Sequence, residues 1–172
     1  VVTKKSFGQG FCYPCFQKSP MNSECIIRPE LCEAHLGKGR SLEWEETHHN
    51  TDHHVYLAAS SGVKVGVTRA DQIPTRWIDQ GASRGILFAD VPYRQLAGEI
   101  EVALKEHISD KTAWQRMLKN EQTDADLQEL KEEMISYLDE SYHDFISNED
   151  DVIEIEYPVD EFPEKVISNK LE

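Results

Sequence analysis

No stretch of this chain approaches the ~18 consecutive apolar residues that a membrane-spanning helix needs, so no such helix is expected. Basic excess is also missing: the 172 residues carry a net charge of −14, with 18 Lys and Arg against 32 Asp and Glu. The deficit is not spread evenly. Residues 1–100 hold 11 basic and 11 acidic side chains, whereas residues 101–172 hold 7 and 21. The acidic segment is thereby argued out of non-specific nucleic-acid binding, and the neutral part is not. A solvated acidic face is the ordinary role of such a segment. There is no internal repeat, no long low-complexity segment and no secretory leader pattern at the start. The first residue is Val1 rather than Met, so residues upstream are expected. Beyond residue 32 there is no cysteine. Nothing signals an oxidising compartment, and the expected location is cytoplasmic.

The cysteines that are present lie close together, as Cys12-x2-Cys15-x9-Cys25-x6-Cys32. A C-x2-C turn aims two thiolates at one point, which is half of a tetrahedral zinc site. The first expectation is one structural zinc held by Cys12, Cys15, Cys25 and Cys32. His35, three residues after Cys32, is an alternative fourth ligand. A disulfide pair and free buried thiols are the other readings. His48, His49, His53 and His54 form a second cluster, read mainly as a polar connector entering a strand.

Further along, Val55–Ala59 and Val63–Thr68 read as strands around a Ser60-Ser61-Gly62 turn. Pro74 suits the first turn of a short helix that reaches Gly81. Gly85–Val91 reads as a third strand. From Tyr93 to Ile108, Leu96, Ile100, Leu104 and Ile108 share one helical stripe. A shorter helix holds Trp114 and Met117. Asp124 to Ile146 reads as one long amphipathic helix capped by Asp124, and residues 152–159 as a strand that Pro158 closes. The expected class is α+β, in three parts. Residues 1–50 form a Cys-rich zinc module and connector, 51–119 an α+β core, and 120–172 an acidic helix-plus-strand extension.

A three-residue turn at 60–62 sets Ala59 across from Val63, Ala58 from Lys64 and Tyr56 from Gly66. Alternation then puts Val55, Leu57, Val63, Val65 and Val67 on a core face. Tyr56, Lys64, Gly66 and Thr68 fall on the other face, which carries a phenol, an amine and a hydroxyl. Gly66 leaves room for the phenol or for a ligand. Arg69 and Arg76 follow, and Glu101 sits at the edge of the later helix's apolar stripe.

This order of elements resembles the GIY-YIG nucleases. "VYL" stands at the first motif and "KVG" at the second, so Tyr56 matches the first Tyr and Gly66 the last Gly. Arg76 matches the helix Arg, and Glu101 in "IEVAL" matches the single Glu. The resemblance implies a small antiparallel sheet flanked by helices and a metal-dependent phosphodiesterase acting on nucleic acid through the neutral core. It assigns Tyr56 as general base, Arg76 as phosphate clamp and Glu101 as ligand of Mg2+ or Mn2+; beyond the family pattern, Lys64 and Arg69 are expected as electrostatic helpers. Lys64 stands where the family keeps its second Tyr, and Gln80 where many members have His. The alternative is a degenerate core that binds nucleic acid or protein without catalysis. Longer strings, among them "KSFGQGFCYPCF", "CIIRPELCEAHLG", "VYLAASSGVKVGVTR", "PTRWIDQGA" and "DKTAWQRML", resemble a family of uncharacterised bacterial proteins. Some of its members carry cysteines where this chain has Gly39 and His49. Members typically also carry a C-x2-C just before "KSF"; if that pair completes a site with Cys12 and Cys15, the resemblance implies that Cys25 and Cys32 belong to a second site, which here would need His49 or His35.

Overall fold

A computed structural model describes residues 5–8, 10–108, 116, 118–119 and 121–163. The architecture is α+β, with one antiparallel sheet of order β2-β1-β3-β4 flanked by helices. Its elements are α1 (Tyr13–Lys18), α2 (Leu42–His48), β1 (His53–Ala59), β2 (Val63–Arg69), α3 (Thr75–Asp79), β3 (Arg84–Val91), α4 (Arg94–Lys105), α5 (Leu127–Ile135) and β4 (Ile153–Glu154). Short 3-10 turns, including Glu24–Ile26 and Pro29–Leu31, carry the chain from α1 to α2.

The β1–β2 hairpin has the expected register: Tyr56 opposes Gly66, Ala58 opposes Lys64 and Ala59 opposes Val63. Val55, Leu57, Ala59 and Val65 join Ile86, Phe88, Leu96, Ala97, Ile100 and Leu104 in the main core. α4 supplies the last four of these, since residues three and four apart share one helix face. Each fully buried Leu or Ile contributes about 1.5–3 kcal/mol of transfer free energy. The other flank of α4 meets the N-terminal segment. A methyl group on Gly98 would collide with the Pro29–Glu30 backbone. Nothing larger than a hydrogen permits that approach.

The second sheet face is covered too. Tyr56, Ala58, Trp77, Ala82 and Leu87 form their own buried cluster. α3 folds Trp77 back onto Gly85, whose missing Cβ makes room for the indole. This face was expected to carry the chemistry. The apolar cover from α3 closes it around Tyr56.

Two elements of the acidic extension differ from expectation. The long helix is broken: α5 ends at Ile135, and a 3-10 turn follows at Glu140–Phe145. The α5 cap is Asp126 rather than Asp124, its carboxylate accepting from the Gln128 and Glu129 amides. Asp139 accepts from the Ser141 amide and starts the next turn. Such local side-chain bonds compete with helix continuation. The strand expected over 152–159 is reduced to Ile153–Glu154, paired with Gly85 and Arg84. Leu127, Met134 and Leu138 nevertheless pack into the same core cluster as β1 and β3. The helix expected around Trp114 and Met117 lies outside the described residues.

Candidate metal centre and the tyrosine face

Four side chains from three short elements meet beside the Pro29–Glu30 segment. Cys25 comes from one 3-10 turn and Cys32 follows the next. Glu45 lies in the first turn of α2, and His49, one helical turn on, is its C-cap. One donor atom from each of the four falls within 4.8 Å of the others. Cys32, Glu45 and His49 are buried, and Cys25 is half-buried. The His49 Nδ1 atom stands 3.5 Å from the Cys32 sulfur and 3.8 Å from the Cys25 sulfur. Tetrahedral zinc, with ~2.3 Å to sulfur and ~2.0–2.1 Å to imidazole nitrogen, spaces such atoms about 3.6 Å apart. The sulfur and nitrogen positions therefore fit. Glu45 fits less closely: its Oε2 atom contacts the same Nδ1 at 2.5 Å, where a shared tetrahedral metal needs about 3.4 Å.

The electrostatics favour a cation. The Cys32 thiol is pulled down to about 4, chiefly by a hydrogen bond from Cys25 and further by His49. The Cys25 thiol is pushed up by its bond to Cys32, by burial and by the Cys32 and Glu45 charges. The two thiols thus compete for charge next to a buried carboxylate, Cys32 tending to the thiolate and Cys25 keeping the proton. A divalent ion in place of that proton would offset two of the three negative charges of two thiolates and a carboxylate, and buried charge of this kind is normally balanced by a metal or a partner. Arg94 anchors the first turn, donating to the carbonyls of Cys25 and Ile26 at 3.0 Å each.

Cys12 and Cys15 stand outside this cluster. The expected four-cysteine site is not assembled, because the structure brings α2 rather than the C-x2-C turn to Cys25 and Cys32. Cys12 and Cys15 interact with each other instead, and the Cys15 amide and thiol lower the Cys12 pKa. His35 is not part of the centre either; its ring stacks on Tyr93 at 4.5 Å. Of the histidine cluster, only His49 joins the cysteines. His48 stacks on Trp44, His53 is buried, and His54 meets Asp90. Glu45 escaped the sequence reading. Its only signal was the i, i+4 spacing to His49 on a helix whose other acids are exposed.

On the second sheet face, Tyr56 is fully buried. Its ring lies over Gly66 and meets Trp77 edge-on at 5.9 Å. The hydroxyl is buried without a hydrogen-bond partner, as are Trp77 Nε1 and Gln80 Oε1. Burial pushes the Tyr56 phenol up; Arg76 and Gln80 beside the hydroxyl oppose this, and the Glu101 charge adds to it. Tyr56, Arg76 and Glu101 are thus within electrostatic reach of one another, from β1, α3 and α4. Arg76 is exposed. Glu101 is buried and paired with Lys105 at 3.1 Å. Lys64 is half-buried opposite Ala58. Arg69 is turned to Asp71 at 3.1 Å. No helix among the described residues is long and apolar enough to cross a membrane.

The whole chain, residues 1–172, matches a family described as protein of unknown function (DUF2797), and the chain belongs to that family. No curated protein and no solved structure matches it.

Proposed function

We propose that this member of the family is a metal-dependent phosphodiesterase of the GIY-YIG type, acting on nucleic acid, with its N-terminal segment clamped by a structural zinc. The observation that carries the reading is the convergence of Arg76 and Glu101, from α3 and α4, within electrostatic reach of the buried Tyr56 hydroxyl, with Gln80 beside it. Arg76, exposed beside the hydroxyl, clamps the phosphate. Tyr56 stays a neutral phenol, because burial raises its pKa. Lys64 and Arg69 add positive potential. Glu101 is a single carboxylate, which suits Mg2+ or Mn2+, ions held by one or two carboxylates plus substrate phosphate. Such an ion supplies Lewis-acid stabilisation of the phosphoryl charge when bound.

The zinc assignment rests on the donor set. Two thiolates, an imidazole and a carboxylate would supply four ligands to a zinc ion, the closed set of structural rather than catalytic sites. Its role is to tie α2 to the turns that pack on α4.

Cleavage of single-stranded, duplex and branched DNA with Mg2+ or Mn2+ tests the reading. Glu101→Ala and Arg76→Ala are each expected to lower the rate by about 10²-fold or more. Wild-type rates that both variants retain would refute it. A second reading, binding without cleavage, is favoured by the complete burial of Tyr56. It predicts saturable DNA binding, weakened by Arg76→Ala, with no metal-dependent product.

A further inference from the structure

A phosphodiesterase that uses water needs a group to take the water's proton, and Tyr56 is badly placed for that. Its hydroxyl is buried and its phenol is held protonated by burial. The same strand offers another group. β1 alternates regularly, so His54 lies on the Tyr56 face one position nearer the strand's start, about 6.6 Å along it. In register, His54 stands between Thr68 of β2 and Asp90 of β3. A one-residue bulge in the β1–β3 pairing between Val55 and Tyr56 sets this row apart from the Tyr56 row.

We infer that His54 and Asp90 form a proton-transfer dyad and that His54 is the general base toward water. This rests on the phosphodiesterase reading above. The His54 Nδ1 atom meets Asp90 Oδ1 at 2.5 Å. A carboxylate there holds the proton on Nδ1 and leaves the Nε2 lone pair to accept another, the arrangement that orients catalytic imidazoles. Nε2 has no protein partner among the described residues. Side-chain exposure is 20% for His54 and 47% for Asp90, so water reaches this row while it cannot reach Tyr56. In the reaction, His54 Nε2 takes a proton from water, the water oxygen bonds to phosphorus, and the bond from phosphorus to the leaving oxygen breaks. The leaving oxygen takes a proton from solvent, and His54 returns its own to solvent.

Chemical rescue separates this role from a structural one. His54→Ala is expected to lower kcat by about 10²-fold or more, and added imidazole to restore a substantial part of it. Asp90 is a positioning residue, so Asp90→Asn should lower kcat with little change in KM. Circular dichroism checks that both variants fold, and nitrogen NMR of the wild type should find the His54 proton on Nδ1. If the wild type cleaves and His54→Ala cleaves equally well, or is impaired without rescue, the dyad is refuted and the phosphodiesterase reading stands. A proton found on Nε2 likewise refutes the dyad. No cleavage by the wild type overturns both.

Discussion

His53 ties stability to pH in a way that can be worked through. Its side chain is fully buried at the start of β1. Nδ1 contacts the Thr51 carbonyl at 2.6 Å, and Nε2 is buried without a partner. Burial lowers its pKa from 6.5 to about 4. The folded value lies below the unfolded one, so the unfolded chain takes up a proton first as pH falls. Stability from this residue is complete above 6.5 and is lost as pH drops from 6.5 toward 4. At pH 5 the two pKa values give a loss of about 2 kcal/mol, and at pH 4 about 3 kcal/mol. Urea unfolding of wild type and His53→Leu at pH 7 and pH 5 isolates this residue. Carboxylates and the metal centre titrate in both proteins, so the difference between the two pH responses is what counts. The wild type should lose about 2 kcal/mol more than the variant between those pH values. Equal losses in the two proteins would refute the reasoning.

Two more predictions concern packing. Gly98→Ala gains about 1 kcal/mol of helix propensity but forces α4 off the Pro29–Glu30 backbone, an overpacking cost of about 1–3 kcal/mol. Thermal unfolding should show a net loss, and zinc should leave the variant faster under a chelator although no ligand has changed. Lys131 is buried, with its ammonium 2.8 Å from the Ser147 carbonyl, 3.0 Å from that of Glu149 and 2.7 Å from Asp150 Oδ1. Lys131→Met leaves those acceptors unpaired and should cost about 2–3 kcal/mol in urea unfolding.

Much of the sheet could be read from the chain, for a physical reason. Period-2 alternation in 55–59 and 63–68, with a short turn between, leaves one register that buries the valines, and β1–β2 adopts it. The stripe of Leu96, Ile100 and Leu104 likewise specified the buried face of α4. What covers the second sheet face was not legible, because Tyr56 is buried by Trp77 folding back from α3 onto Gly85. That contact depends on tertiary packing, not on local pattern. The break after Ile135 was missed for the opposite reason: the apolar spacing continues to Phe145, but Asp139 caps a new turn. At the metal centre, Cys25 and Cys32 were visible as ligands, and His49 as a substitute one. Glu45 was hidden, since a buried carboxylate on a polar helix looks like its exposed neighbours until α2 is docked.

Zinc content of the purified full chain and of two double variants tests the metal centre most directly. Cys25→Ser/Cys32→Ser should lose the tightly held zinc, while Cys12→Ser/Cys15→Ser should keep it. Zinc that leaves with Cys12 and Cys15 and survives the loss of Cys25 and Cys32 would contradict the assignment.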